Sequence, residues 1–352
     1  MHVRVLSEWS AAAPFRERWN ELARGASVFQ TYEWHEAWWQ AFATTETLHV
    51  LVAFHSGEVV GIAPMVSHGG ELRFIGTGNH ASDYAQFLAA DPAALDALLT
   101  WIAHNAWRWR HIDLYNIPSQ SPQLSAITGV FAAHRLAFDS APLIDCPTRL
   151  LGDPEADRAA TNKKSLKRHF NHFSRSGTLE FRHVEDRAEI AAHLDTFFAQ
   201  HIARRALTSD PSQFLREEQQ RFYRNLAETM PLEWLRFAIV THDERPIAYH
   251  FGFEFGRKFV WYKPAFDAEL AKESPGEVLL KFLLEYAIGR KLSEFDFTVG
   301  SESFKYRFAN VIRTNHRVRL FNARWRLWAF YLRRWVQALL NRPRREQMGA
   351  AS

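Results

Sequence analysis

One cysteine, Cys146, in 352 residues leaves no intramolecular disulfide and no cysteine metal cluster. No stretch approaches the roughly 18–20 apolar residues of a membrane-spanning helix. The opening MHVRVLSEWSAAAPF lacks an apolar core of signal-peptide length. The expectation is a cytoplasmic chain, at most peripheral at the inner membrane face. Gly-x-Ser-x-Gly is absent, and no Ser-His-Asp or Cys-His order stands out. Acids are missing from one long stretch. Ser303–Arg345 holds twelve lysines and arginines and no Asp or Glu, although the net charge is only +4. Such asymmetry marks an anionic partner or a basic tail.

What is present suffices for large cores: hydrophobic residues make up 47% of the chain, with 28 Phe and 13 Trp. The length favours two domains over one. Trp234–Ala309 is the most informative stretch. Leu235–Thr241, Pro246–Phe255 and Lys258–Tyr262 read as strands, with short turns between them that suit antiparallel hairpins. In the second, Ile247, Tyr249, Phe251, Phe253 and Phe255 share one face, and Ala248, His250, Gly252 and Glu254 the other. A helix follows. Ser274 as N-cap, Pro275 at the first helical position and Glu277 three residues after Ser274 predict a capping box. Val278, Leu279, Phe282, Leu283 and Tyr286 recur at helical spacing, and Phe295–Val299 reads as a closing strand.

This order, with Gly276 at a helix start after a strand, resembles the core of the GNAT acyltransferases. There, backbone N–H groups at the helix start hold the coenzyme A pyrophosphate, since free amides and the helix dipole favour an anion. The segments WYKPAFD, ESPGEVLL and EFDFTVGSESFKYRFA are similar to the CelD-type, BioF-like acetyltransferases. That group is related to the Fem peptidyl-transferases, whose core ends in a similar Phe-Lys-x-x-Phe, here Phe304–Phe308. GIAPMV, LRFIGTG and SDYAQFLA extend the resemblance over roughly residues 15–310. It implies a cofactor-binding set of Ser274, Pro275, Gly276, Glu277 and Val278, with acetyl-CoA or another acyl-CoA as donor. One departure stands out. Lys272–Glu277 carries one glycine and two acids, where the GNAT loop has a basic or Gln residue and two small ones. Glu277 therefore competes with phosphate for the same amides.

The first half repeats the strand–turn–strand theme at Leu48–Phe54 and Val59–Val66, with a further strand at Leu72–Ile75. Helices are predicted at Pro14–Arg24, Gln30–Phe42 (capped by Thr31), Pro92–Ala106 and Gln123–Ala133. Strands are predicted at Gln86–Leu88, His111–Tyr115 and near Pro142–Asp145. Leu151–Asp157 reads as a linker, followed by one basic helix over Arg158–Ser176. Leu179–Val184 reads as a strand, and Ala188–Ile202 and Phe214–Glu228 as helices. The predicted fold class is α/β (α+β): tandem GNAT-like domains, each a mixed, mostly antiparallel sheet flanked by helices, plus a C-terminal amphipathic helix. The boundaries are 1–150, 151–318 and 319–352.

Acyl transfer from a thioester needs proton removal from the acceptor, a stabilised oxyanion and a leaving thiolate. Lys305, after a glycine loop, is the first candidate for stabilising charge; its other reading is a surface lysine in an ion pair. Asp83 beside Gly76–Tyr84 can accept a proton or cap the loop. Asp296 is a third catalytic candidate, or a buried partner for Lys305. Tyr84, His250, Tyr262, Lys263 and Arg307 are substrate-side candidates, although a lone strand histidine such as His250 is commonly a core group. His169 and His172 stand three apart among five cations, which argues against a metal site.

The expected function is transfer of an acyl group to an amine or hydroxyl of a sugar or amino compound, near exopolysaccharide or envelope synthesis. Two alternatives stand beside it. One is a Fem-like transferase drawing an amino acid from charged tRNA, the only reading that expects nucleic acid. The other is a non-catalytic module of a polysaccharide machine. Finally, Phe321, Trp325, Trp328, Leu332, Trp335 and Leu339 form one stripe of a helix over Leu320–Leu340. Tryptophan with arginine and no acid suits a bilayer interface, and Arg342–Arg345 would add to it; the other reading is a terminal helix packed on the second domain.

Overall fold

The computed structural model describes every residue except 79, 80, 207, 209 and 341–352, and no side chain beyond residue 337. The first half supplies β1 (His2–Leu6), β2 (Thr47–His55), β3 (Glu58–His68), β4 (Glu71–Phe74), β5 (Leu88–Ala89), β6 (His111–Pro118) and β7 (Ala137–Leu150). The second supplies β8 (Leu179–Val184), β9 (Leu235–His242), β10 (Arg245–Phe255), β11 (Lys258–Phe266), β12 (Glu294–Asp296) and β13 (Val311–Phe321). Among the described residues these thirteen strands form one mixed, mostly antiparallel sheet. Its order is β1-β2-β3-β4-β6-β13-β7-β12-β11-β10-β9-β8, with β5 beside β3. The helices are α1 (Arg16–Ala23), α2 (Tyr32–Phe42), α3 (Pro92–Asn105), α4 (Gln123–Ala133), α5 (Pro154–Thr161), α6 (Lys164–Ser176), α7 (Arg187–Arg205), α8 (Glu217–Thr229), α9 (Pro275–Gly289), α10 (Ser303–Phe308) and α11 (Arg324–Leu340).

β2, β3, β9 and β10 are buried on both faces, and their alternation sorts side chains between cores. In β2, Leu48, Val50, Val52 and Phe54 enter one core while Leu51 and Ala53 enter another. In β9, Leu235, Phe237 and Ile239 join that same first core, while Ala238 and Val240 enter a third. One face of the sheet therefore carries a core common to both halves, and the other face carries one core per half. α2 and α8 meet on the common face. Trp34 lies edge-on to Phe222 at 5.2 Å and to Tyr262 at 5.5 Å.

The two halves exchange strands at the centre. β13 lies antiparallel between β6 and β7, and β7 lies antiparallel between β13 and β12. Each half thus closes the other's sheet with its last long strand. Outside this pair each half repeats one feature. β4 and β6 run parallel over Glu71–Arg73 and His111–Asp113, and β11 and β12 run parallel over Lys258–Val260 and Glu294–Asp296. Both ladders then end, and the chain that leaves them builds the site.

Several local expectations are corrected. Ser274 adopts φ 57°, ψ 57° and makes no side-chain cap, so no capping box forms. The Glu277 carboxylate instead bonds Arg307 at 2.7 Å. The Leu151–Asp157 segment is only in part a linker, because Asp153 caps α5 by accepting from the Glu155 and Ala156 amides. The single basic helix is two, α5 and α6, divided at Asn162 and Lys163. The strand expected over Phe295–Val299 stops at Asp296, and Phe304–Phe308 lies in the short helix α10. Ile247 leaves the face of Tyr249 for the opposite core, because the register with β9 shifts between Pro246 and Ala248. The C-terminal helix begins at Arg324; Phe321 is a buried strand residue.

Candidate active site

The loop after β4 is fixed before it reaches Asp83. Gly76 has φ 83°, and a Cβ there would sit 2.0 Å from Ser82 Oγ, so only glycine fits. Ser82 Oγ in turn accepts from Trp34 Nε1 at 2.9 Å. Three side chains from three strands then donate to three consecutive carbonyls. Tyr262 Oη in β11 reaches Ala81 O at 2.5 Å, Asn116 Nδ2 in β6 reaches Ser82 O at 2.9 Å, and Asn315 Nδ2 in β13 reaches Asp83 O at 2.8 Å. Both halves therefore hold the backbone that presents Asp83. Holding a reacting group through its neighbours in this way is preorganisation.

Asp83 is 6% exposed and lines a cavity of about 320 Å³, with Arg73, Thr77, Tyr115, Asn116 and Arg317 among its walls. Burial raises its carboxyl pKa, and the charges of Lys263 and Lys305 and a hydrogen bond from Thr298 oppose that rise. Lys263 is shifted down, chiefly by burial, with Asp83 opposing; its Nζ lies 4.4 Å from the Tyr262 ring centroid. Lys305 is 5% exposed, donates to Val299 O at 2.6 Å and pairs with Glu302 at 3.1 Å. A carboxylate at a cavity wall can take a proton from an acceptor, and the two ammonium charges acting on it can steady a developing oxyanion.

Tyr84 and Asp296 open elsewhere, into a cavity of about 350 Å³ that Lys258 and Arg313 also line. Tyr84 Oη and the Thr298 amide both donate to Asp296 Oδ1 at 2.8 Å. Burial holds the Asp296 carboxyl up at about 6 despite these donors, and burial and Asp296 push the Tyr84 hydroxyl well up. The three catalytic candidates are thus divided. Asp83 and Lys305 share one side. Asp296 is a partner of Tyr84, and the alternative reading of it as a buried partner for Lys305 is corrected, since Lys305 bonds Val299 O and Glu302.

His250 is a core group. It is fully buried, and its pKa is driven well below the usual range by burial. Its ring stacks on Trp261 at 4.9 Å, and Nε2 accepts from the Tyr262 amide at 3.1 Å. Gly252 is required beside it, since a Cβ would meet the ring at 1.9 Å. Tyr262 acts on the loop rather than at a cavity wall.

The α9 start gathers the remaining candidates. Pro275 and Val278 are buried, and a Cβ on Gly276 would stand 3.1 Å from the Phe266 ring. The Glu277 amide donates to Ser274 O at 3.0 Å, and the Glu277 carboxylate, besides its pair with Arg307, lies 3.9 Å from His169. An acid paired with Arg307 thus stands in the first turn of the helix, the end where an anion would dock. Sequence reasoning missed Asn116 and Asn315. An asparagine inside a strand is a weak signal of such a clamp, and neither position carried another.

Residues 160–306 match the family model described as Acetyltransferase (GNAT) domain. The second half therefore carries an acyltransferase domain, and the chain is an enzyme of that class. Solved structures extend the likeness in fold to almost the whole chain. FemX is 11% identical, with 94% of this chain and 99% of that one covered at a TM-score of 0.65. A conserved protein of unknown function from Bacteroides thetaiotaomicron is 10% identical, with 91% and 99% covered at 0.61. The C-terminal domain of a putative lysylphosphatidylglycerol synthetase from Agrobacterium fabrum is 11% identical, with 91% and 95% covered at 0.58. No curated protein matches.

Proposed function

We propose that the chain transfers an acyl group from acyl-coenzyme A, acetyl in the first instance, to an amine or hydroxyl of a sugar or amino compound. The clamped Asp83 carries this reading. It faces a cavity, and the charges of Lys263 and Lys305 act on its carboxylate, in a chain with an acyltransferase domain. The acceptor nitrogen or oxygen attacks the thioester carbonyl carbon, and its proton passes to Asp83. The carbonyl oxygen becomes an oxyanion within the field of the two lysines. The oxyanion then collapses, the C–S bond breaks and the thiolate leaves. The resemblance to the CelD group directs the search for an acceptor toward exopolysaccharide and envelope sugars.

The test is release of free thiol from acetyl-CoA with a panel of amino sugars and amino acids. Asp83→Asn should lower turnover about 10²–10⁴-fold while donor binding persists. Full activity in that variant returns Asp83 to a loop cap.

A second reading has a specific support. An acid, Glu277, stands in the first turn of the helix whose start coenzyme A pyrophosphate would use, and the fold is shared with FemX. A Fem-like enzyme would take its acyl group from aminoacyl-tRNA. Calorimetry with acetyl-CoA against aminoacyl-tRNA separates the two, since RNA binding should fall steeply with salt. Binding of neither would leave a non-catalytic module.

A further inference from the structure

Helix α11 carries a stripe that stands exposed among the described residues. Trp325, Trp328, Leu332 and Trp335 recur at spacings of three, four and three, and are 63%, 72%, 60% and 61% exposed. The opposite side of its first turns is docked. Phe330 lies 5.5 Å from Phe321, Arg319 stacks over Phe330 at 4.8 Å, and Tyr331 Oη donates to Asp139 at 3.0 Å. The helix is therefore fixed to the sheet with its tryptophans outward. Three indoles in water cost free energy unless a partner covers them.

Between α11 and the sheet lies a cleft of about 470 Å³. Its walls include Arg110, Arg317, Arg319, Arg326 and Arg333, with no carboxylate among the lining residues. Asp113 behind it bonds Arg317 through Nε at 2.7 Å and lies 3.9 Å from Arg319. Burial lowers the pKa of Arg319, and Arg317 lowers it further. Asp113 and Glu71 act on Arg317, and Asp113 and Asp139 on Arg319, but none of these acids lines the cleft, which is left with arginine donors on its walls. Trp325 belongs to both features, lining the cleft and standing in the stripe.

We propose that α11 lies in the surface of an anionic bilayer, its tryptophans at the acyl boundary and a lipid phosphate in the arginine cleft. Indoles favour that depth because one edge is apolar and the N–H remains wet. Guanidinium forks match phosphate oxygens. An acid-free basic helix complements an anionic surface, whereas a second copy of the same face would bring arginine against arginine. The inference does not depend on the acyl donor or acceptor.

Vesicle sedimentation of the full chain tests it, with phosphatidylcholine alone and with added phosphatidylglycerol. The expected result is binding to the anionic vesicles only, weakened by salt, with a blue shift of tryptophan emission. Arg326→Ala and Arg333→Ala should each lower the partition coefficient about fivefold. Trp328→Ser combined with Trp335→Ser should abolish binding with the melting temperature unchanged, since both side chains are exposed. Ending the chain after Asn322, which keeps β13 whole, should also abolish it. Equal sedimentation of parent and variants, equal binding to neutral vesicles, or no sedimentation would overturn the proposal. So would a lipid-free dimer, seen by sedimentation velocity, that the same tryptophan variants dissociate.

Discussion

At the scale of single residues, a buried carboxylate and a buried lysine make different predictions. Asp296 has a folded-state pKa of about 6 against an ordinary 3.8, with burial as the first cause. The folded chain therefore holds this proton more tightly than the unfolded chain. Between about pH 4 and 6 the folded state binds more protons, so this group's contribution to stability is present at low pH and is lost as pH rises. Asp296→Asn keeps an oxygen for Tyr84 and the Thr298 amide but cannot ionise. Its melting temperature should fall less than the parent's as pH rises through that window; parallel melting curves would refute the assignment. Lys305 joins structure to chemistry. Lys305→Ala leaves Val299 O without its donor and Glu302 without its partner. It should cost about 1–3 kcal/mol of stability and about 100-fold in turnover. If donor affinity collapses while turnover at saturation survives, Lys305 binds rather than catalyses.

At the scale of elements, α9 decides how the donor is held. A carboxylate in the first turn of a helix is worth about 0.3–1 kcal/mol, and Glu277 is fixed there by Arg307. Pyrophosphate docked on the amides of this turn would be opposed by that negative charge. Glu277→Gln should then tighten coenzyme A severalfold in calorimetry while slightly lowering the melting temperature. Unchanged or weaker binding would place the donor elsewhere. Gly276→Ala is a milder probe than a branched residue, because even its Cβ presses on Phe266. The same helix shows what the sequence made legible. Pro275 and the apolar spacing from Val278 to Tyr286 marked its existence and start. The Ser274 cap failed because the residue is held in a left-handed turn, a backbone constraint that no side-chain pattern reveals. Thr31, by contrast, caps α2 as expected by accepting from the Trp34 amide. β13 was illegible for another reason: Arg313, Arg317 and Arg319 read as a charge run. In the sheet Arg313 pairs with Glu294 in β12 and Arg317 with Asp113 in β6, partners supplied only by tertiary structure. At the site the loop and Asp83 were visible as chemistry. Asn116 and Asn315 were not, since their meaning lies in carbonyls 34 and 232 positions away.

At the scale of the whole molecule, the division of the chain near residue 150 is not a division of the sheet. β13 runs the length of β7, from Val311 opposite Thr148 to Phe321 opposite Ala137, and its other edge pairs with β6. Residues 1–150 alone would expose one edge of β6 and both edges of β7. Trp34 would also lose Phe222, Phe253 and Tyr262 from around its ring. Each net ladder hydrogen bond is worth about 1 kcal/mol, and a domain of this size has only about 5–15 kcal/mol in total. Loss of these ladders and of the second half's share of the common core should therefore exceed what the fragment can bear. Residues 1–150 expressed alone should be insoluble, or soluble without a cooperative melt. Residues 1–150 and 151–340 produced together should co-purify and recover the full chain's circular dichroism and its single thermal transition. A fragment 1–150 that melts cooperatively alone would show the strand exchange to be dispensable. The catalytic consequence follows from the same geometry. Asn315 and Tyr262 of the second half hold the loop carrying Asp83 of the first, so the two fragments should regain transferase activity only as they regain the common sheet.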